Sequence, residues 1–456
     1  MSASRSASTL PPGPPTRRFV NMVRWLVTPL PWLDELAARY GNAFTMRMPR
    51  LDTPMVIFAE PDAVRELWTG DPLELHAGQA NAVLRSVLGE HSLLLLDGER
   101  HLRERRLMLP PFHGDRMRAY GDAMRDAAAR EIERWPIGRP FPVHRATQAI
   151  TLEVIMRTIF GVGGDDARVA PLRDALVRWT ALGTSRLGTA LLLLVPPERA
   201  LDVRQLARRP WGRFLPWAKI VHAQAETDRL MRELIAARRH EPTGGRDDIL
   251  SMLLEARDDT GAAMTDDQLR DEMLTLLLAG HETTATTLAW TIHHLLEHPA
   301  WLDRVRAEVR ELGDGSPLLD AAIKETLRLT PIVPMVGRML AKPRTIGGFD
   351  LPAGAFALAS IYLVHHRADL WPDPARFDPG RFVGKKIDPS TYFPFGGGAR
   401  RCLGMAFASY EMKIVLATIL ARTELAAAAG ARVKLVRRGI TFAPSGGMPV
   451  VMTARR

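Results

Sequence analysis

Cys402 is the one cysteine of the chain, and it lies in the run Phe395-Gly-Gly-Gly398-Ala-Arg400-Arg-Cys402-Leu-Gly404. A thiol becomes a metal ligand or nucleophile as its thiolate, which a helix N-terminus and neighbouring cations favour. A helical pattern opens just after Gly404, so the sequence places the thiol near a helix start with Arg400 and Arg401 beside it. Three successive glycines let the backbone pass close to a flat object, and Phe395 can shield one side of it. A buried inert thiol is the ordinary fate of an arbitrary lone cysteine. The Gly-rich, Arg-flanked setting argues against that fate here. With a single thiol, no intramolecular disulfide and no Cys-rich zinc or iron–sulfur site can form, which fits a reducing compartment.

The second stretch with chemical content is Leu276-Leu-Leu-Ala279-Gly280-His281-Glu282-Thr283-Thr284-Ala285. It falls in the middle of a helical pattern that starts at the capping-box spacing Thr265-Asp-Asp-Gln268 and runs to His298, where Pro299 stops it. Such a helix is roughly 50 Å long. Glycine at its centre costs about 1 kcal/mol against alanine, and threonines are poor helix formers. Two readings compete. In one, Gly280 permits close helix–helix approach while the threonine hydroxyls bond back to the preceding turn. In the other, the helix opens locally and presents a carboxylate and a hydroxyl to a buried ligand. A zincin site is excluded, since His281-Glu282 lacks the second histidine at position 285. His294 and His298 share an i, i+4 face, but their place at the helix end beside Glu297 suggests solvated surface histidines.

These two stretches need elements to hold them. Residues 11–15, Pro-Pro-Gly-Pro-Pro, form a stiff lead-in suited to lying over a surface. Short strands are expected at 44–48 and 54–59, and helical patterns from about 61 to 329, with joints at 161–164, 196–197 and 242–245. Strand and coil return after Pro331, a helix follows the cysteine over about 404–420, and the tail suggests a β-hairpin around 445–447. Neither a repeat nor a flexible linker divides the chain. The expected organisation is a lead-in of residues 1–18 and one large, mostly α domain, with a small β region, over residues 19–456.

Composition narrows the class. The 456 residues are 46% hydrophobic and 25% charged, ordinary for a globular chain. Sixty-one Lys+Arg against 51 Asp+Glu give +10, which suits an acidic partner. The arginines are spread along the chain and only 7% of residues are aromatic, which argues against a nucleic-acid interface. No apolar run approaches the ~18 residues of a spanning helix, and the start lacks a signal-peptide pattern. Residues 19–33 are moderately apolar and at most touch a membrane surface. The expectation is a cytoplasmic monomer without a transmembrane anchor.

The segment from Phe395 to Gly404 resembles the haem-binding loop of the cytochrome P-450 family, matching at Phe395, Gly398, Arg400, Cys402 and Gly404. Three further matches follow the family's order. Ala279-Gly280-His281-Glu282-Thr283 resembles its oxygen-activating stretch. Glu325-Thr-Leu-Arg328 resembles its Glu-x-x-Arg, with Arg381 as third member. His101-Leu-Arg-Glu-Arg105 stands where the family has Trp or His followed by a basic residue, here with His in place of Trp.

The resemblance implies a triangular helical prism around a buried haem b (iron protoporphyrin IX). It makes Cys402 the thiolate ligand of the iron, whose electron donation favours O–O cleavage. It makes His101, Arg105, Arg338 and Arg400 partners of the haem propionates, and puts Ala279, Phe395 and Gly404 against the cofactor. Glu282 and Thr283 would relay protons during dioxygen activation, and Glu325, Arg328 and Arg381 would form a buried structural network. The implied activity is monooxygenation of a lipophilic organic substrate such as a fatty acid or terpenoid. Electrons would come from NAD(P)H through a separate reductase and a ferredoxin or flavodoxin, for which Arg100, Arg103, Arg106, Arg401 and Lys413 offer a basic face. A peroxygenase or isomerase without redox partner, or a haem-thiolate sensor, is the alternative; retention of Glu282-Thr283 argues against the first. The resemblance assigns the substrate lining to residues 71–96, 183–222, 276–280, 331–337 and 443–449.

Overall fold

The computed structural model describes residues 10–49, 53–112, 115–163, 166–185, 187–189, 191, 195, 199, 205–206, 212–241 and 246–456. The expected joints at 196–197 and 242–245 lie outside the described residues. The proline-rich lead-in lies on the first strand: Thr45 donates through its backbone N–H to Pro12 O (2.9 Å) and through its hydroxyl to Pro11 O (2.6 Å). A Cβ on Gly13 would fall 1.9 Å from Thr45 O, so only glycine lets the stiff segment lie flat there. Two helices follow, Arg18–Val27 and Pro29–Tyr40.

The expected early strands form as Ala43–Met46 and Met55–Phe58, antiparallel to each other. They open a five-stranded sheet completed by Phe356–Ser360, Met335–Leu340 and Leu75–His76 in that order. Met55–Phe58 pairs in parallel with Phe356–Ser360, so the sheet joins the chain's N-terminal part to its C-terminal third. Every residue of Phe356–Ser360 is buried, as expected for a central strand covered on both faces. The sheet has its own core around Phe44, Phe58, Ile57, Leu33 and Phe393.

A larger core is helical and is organised around the central helix Asp266–Glu297. Its N-terminus carries the expected capping box, Thr265 Oγ1 accepting from Gln268 N while Gln268 Oε1 accepts from Thr265 N. The helix is unbroken through Gly280, so the local opening weighed from the sequence does not form. Bonding-back does: the hydroxyls of Thr283, Thr284, Thr287 and Thr291 each donate to the carbonyl four residues earlier. Gly280 faces helix Val143–Phe160, where a Cβ would stand 3.2 Å from Ile155 Cδ1. Helices Pro317–Leu329 and Met405–Arg422 pack against the central helix as well. None of the helices among the described residues is long and apolar enough to cross a membrane.

Two sequence expectations are corrected. No hairpin turns at 445–447. The strand Thr441–Pro444 pairs backward with Leu435–Arg438 around Gly439-Ile440, whereas Pro449–Arg455 joins Thr423–Ala427 and Pro140–Pro142. The Gly446-Gly447 signal marks a change of sheet, since both glycines have positive φ and a Cβ on Gly447 would strike Pro142. His294 is also not a solvated surface residue. It is packed between Trp290 and Phe377, and its Nε2 bonds Thr330 Oγ1 at 2.9 Å. Burial and the nearby His293 hold it neutral, its pKa pushed down to about 3. His298 caps the same stack, its Nδ1 on His294 O and its ring against Phe377.

Candidate active site

Between the central helix and the cysteine loop lies a cavity of about 2290 Å³, lined by Leu276, Ala279, Gly280, Glu282 and Thr283 on one side and by Phe395, Cys402 and Gly404 on the other. Cys402 is held by its backbone N–H on Phe395 O (2.9 Å), just before helix Met405–Arg422, and its sulfur opens onto the cavity. Enclosure by protein pushes the thiol pKa up, against the lowering effects of the Gly404 N–H and of Arg105. That corrects the expected balance: Arg400 is turned away from the sulfur. It donates to Leu93 O, Leu96 O and, at 2.6 Å, to Asp97. The glycines also divide their work otherwise than expected. A Cβ on Gly397 would lie 2.6 Å from the Trp68 ring and one on Gly398 2.3 Å from Trp68 O, so these two seat the loop on Trp68. Gly396 and Gly404 border the open space.

One end of the cavity is cationic. His101, Arg105, Arg338 and Arg400 all line it. His101 is buried, with Nδ1 unpartnered among the described residues. Burial and the charges of Arg400, Arg105 and Arg338 push its pKa down to about 3. Arg338 donates to Gly337 O and Gly397 O and stacks over Trp68; burial and Arg400 lower its pKa to about 10. Asp97 is the one carboxylate that pairs with this group among the described residues. Three guanidiniums against a single carboxylate leave an excess of two positive charges facing the cavity, an arrangement that calls for an anionic group.

On the central helix, the Thr283 hydroxyl donates to Ala279 O at 2.7 Å, which commits its proton and leaves its oxygen an acceptor. Glu282 Oε2 accepts from Gln148 Nε2 (2.5 Å), while Oε1 lies 3.8 Å from His144 Nε2 and 3.7 Å from Arg438 Nη1. Burial keeps His144 neutral, its pKa down to about 4 despite Glu282. Sequence reasoning missed His144, Gln148 and Arg438. A signal existed for the first two: His144, Thr147, Gln148 and Thr151 recur at i, i+3, i+4 and i+7 as a polar stripe along one face of the helix. That stripe faces the central helix, Thr147 donating to Ala285 O and Thr151 to His281 O.

Glu325, Arg328 and Arg381 come together away from the cavity. Arg328 forks onto Glu325 at 2.7 and 2.8 Å, both side chains wholly inaccessible, and its remaining donors reach His365 O, Pro374 O and Arg376 O. Arg381 adds a 3.3 Å contact to Glu325 Oε1, which also accepts from Asp378 N at 2.9 Å.

This thiol, cavity and network coincide with a known family. A sequence model of cytochrome P-450 matches residues 11–448. The chain belongs to the cytochrome P-450 family. It is 40% identical to cytochrome P-450 135B1 of Mycobacterium tuberculosis over 99% of this chain and 93% of that protein. To cytochrome P-450 138 of the same organism it is 36% identical, over 98% and 99%. Among solved structures it resembles a retinoic acid-bound cyanobacterial member, CYP120A1, with TM-score 0.84 and 25% identity over 99% of this chain and all of that one. The haem domain of cytochrome P-450DA follows at TM-score 0.83, 24% identity and 99% of each chain. As a cytochrome P-450 the protein is a haem-thiolate monooxygenase, and its fold is the family's.

The residues present suit a haem. A cytochrome P-450 needs a thiol opening onto an apolar cavity and partners for two propionates; the uncompensated arginines supply the cations, and the orphaned Nδ1 of the neutral His101 supplies a further hydrogen-bonding group. The substrate lining departs from expectation at both ends of the chain: Phe19, Met22 and Trp25 of the first helix line the cavity although no segment there is expected to. The C-terminal segment that lines the cavity is Arg437, Arg438, Gly439, Ile440 and Thr441, not 443–449, because the hairpin tip lies at Gly439-Ile440. Much of the expected 183–222 lining falls outside the described residues. On the expected partner face, Arg106 and Arg103 are engaged by Asp259 (2.9 Å) and Asp258 (3.3 Å), which reduces their free charge.

Proposed function

We propose that this cytochrome P-450 uses haem b to hydroxylate a lipophilic molecule of the fatty-acid or terpenoid class, with electrons from NAD(P)H through a reductase and a ferredoxin or flavodoxin. The observation that carries this reading is the Cys402 sulfur opening onto a large cavity beneath the acid–alcohol pair Glu282-Thr283. Retinoic acid, present in the solved cyanobacterial relative, is an apolar molecule of the same kind. Cys402 would ligate the iron, and His101, Arg105, Arg338 and Arg400 would hold the propionates by charge-assisted hydrogen bonds. The haem, when bound, supplies dioxygen activation and oxygen insertion.

The chain's own residues then do three things. Leu276, Ala279, Ile332 and Val336 exclude water from the substrate carbon. Thr283, its proton given to Ala279 O, accepts a hydrogen bond from a protonated group in the cavity and fixes its orientation. Glu282, held at the helix surface by Gln148, stands where a carboxylate can pass protons inward from the Arg438 side. Glu325, Arg328 and Arg381 hold the frame beneath the cysteine loop. The exposed Arg100 and Arg401 suit an acidic electron donor, and the protein would act as a cytoplasmic monomer.

The test is turnover of a compound that shifts the haem spectrum, supplied in parallel with ferredoxin plus reductase and NADPH or with hydrogen peroxide alone. Product that requires the reductase supports the reading. Equal turnover with peroxide alone makes the protein a peroxygenase, and a second protein ligand on the iron without turnover makes it a sensor.

A further inference from the structure

The hairpin formed by Leu435–Arg438 and Thr441–Pro444 carries two adjacent arginines into the cavity wall, and strand alternation sends them to opposite faces. Arg438 is engaged, near Glu282 and donating to Thr184 Oγ1. Arg437 is not. Its guanidinium lies 4.4 Å from the centre of the Trp25 ring and 5.5 Å from that of Phe442. Its Nε and Nη2 are buried, and neither finds an acceptor among the described residues. No carboxylate pairs with it among the described residues either, and burial alone lowers its pKa to about 10. Aromatic rings offset part of the cost of burying a cation, but they accept no in-plane N–H. Two other buried guanidiniums are well supplied: Arg328 reaches two carboxylate oxygens and three carbonyls, and Arg238 reaches Asp248, Ser251 and Phe160 O, while Arg306 and Arg400 each leave only Nε unpartnered among the described residues. Arg437 departs from that pattern, and it does so in the wall of the substrate cavity.

Its surroundings define what could complete it. Phe19, Met22 and Trp25 of helix Arg18–Val27 line the same part of the cavity, and Phe19 and Val20 are exposed. The position therefore joins an apolar rim to a fixed, unsatisfied planar donor. A carboxylate presents two oxygens to a guanidinium fork, and an apolar tail behind it would run into the cavity toward Cys402. A neutral alcohol or ketone would satisfy one donor and leave the charge uncompensated.

We propose that Arg437 is a substrate anchor, binding the carboxylate of an apolar acid between Trp25 and Phe442 so that a carbon remote from the carboxylate is presented for oxidation. The proposal rests on the hydroxylase reading and narrows its substrate to amphipathic acids. It also fixes regiochemistry, because a tethered head group limits how far the tail can slide.

The experiment compares acids with their methyl esters. Straight-chain acids of about ten to eighteen carbons, an isoprenoid acid and the corresponding methyl esters are titrated into the haem-loaded protein. Binding is read from the shift of the haem absorption and independently from quenching of tryptophan fluorescence. In wild type the best acid should bind about ten- to a hundredfold more tightly than its ester, the range expected for a charge-assisted pair in a desolvated site. Arg437→Gln should abolish that preference while ester affinity stays within a few-fold. Arg437→Lys, which keeps the charge but loses the fork, should retain part of it. The reduced carbon monoxide spectrum of each variant certifies an intact haem–thiolate site. Equal binding of acids and esters by wild type, or an undiminished preference in Arg437→Gln, overturns the anchor and leaves the hydroxylase reading standing. If neither acids nor esters perturb the wild-type spectrum, the lipophilic-substrate reading falls and the anchor falls with it.

Discussion

Removing Arg328 should cost this protein most of its stability. The side chain is wholly inaccessible and makes five hydrogen bonds, two to Glu325 and one each to the carbonyls of His365, Pro374 and Arg376. Arg328→Ala leaves Glu325 with Asp378 N and the longer Arg381 contact, so its charge is partly but not fully compensated. Breaking a buried ion pair by deleting one partner costs about 3–5 kcal/mol, and an orphaned buried carbonyl adds about 1 kcal/mol or more. The total is comparable to the whole stability of a marginal domain, which starts at about 5 kcal/mol. Most of the variant should therefore be unfolded or free of haem. Because complete loss is uninformative about cause, two milder changes calibrate it. Arg328→Lys keeps the charge but cannot satisfy the fork and the carbonyls together, and should fall between wild type and Ala. Arg381→Ala loses one 3.3 Å contact to Glu325 and a bond to Asp373 O, and should cost about 1 kcal/mol. The assay is urea unfolding with haem content per chain as a second readout. An Arg328→Ala midpoint equal to wild type, or an Arg381→Ala loss as large as that of Arg328→Ala, would refute the account of the network.

Four further outcomes are expected. Cys402→Ser should abolish the red-shifted Soret band of the reduced carbon monoxide complex, since the chain has no other thiol; survival of that band would remove Cys402 as the ligand. Thr283→Ala deletes the hydroxyl bonded to Ala279 O but keeps a good helix former, so substrate binding should persist while the ratio of product to NAD(P)H consumed falls several-fold. An unchanged ratio would reduce Thr283 to a packing residue. Gly397→Ala places a Cβ 2.6 Å from the Trp68 ring and should lower haem occupancy, whereas Gly315→Ala, with open space around it, should not. His294 has its folded pKa depressed to about 3 against about 6.5 unfolded, so the unfolded chain binds more protons between those values and stability falls as pH drops below about 6.5. In His294→Gln the loss of unfolding free energy from pH 7 to pH 5 should be smaller by about 2 kcal/mol; an identical loss in both proteins would show that His294 takes up its proton normally when folded.

The residues that could do chemistry were legible because their signals are local. A lone cysteine among glycines and arginines, a glycine and an acid–alcohol pair in mid-helix, and a capping box at Thr265 are each read within a dozen positions. The backbone geometry behind them, helix period and cap spacing, acts at that same short range. What lay beyond the sequence depends on partners distant along the chain. Whether the centre of Asp266–Glu297 opens or stays closed was settled by Ile155 and the Thr147–Thr151 stripe of a helix more than a hundred residues earlier. The glycines of the cysteine loop imply room for a flat cofactor, yet two of them make room for Trp68, more than three hundred residues away. Gly446-Gly447 has the same turn chemistry whether the chain reverses or passes to another sheet, so the sequence cannot place the tail hairpin; long-range pairing with Thr423–Ala427 chose the latter. His294 looked solvated because a helix end is solvated by default, and only the packing of Phe377 and Thr330 onto it says otherwise. The sequence by itself determined which side chains carry chemistry and the local backbone that holds them. Tertiary structure decided which of them meet, which charges are compensated, and that Arg437 Nε and Nη2 find no acceptor among the described residues. The physical reason is that burial and charge compensation are properties of a three-dimensional neighbourhood, and residues far apart along the chain supply most of it.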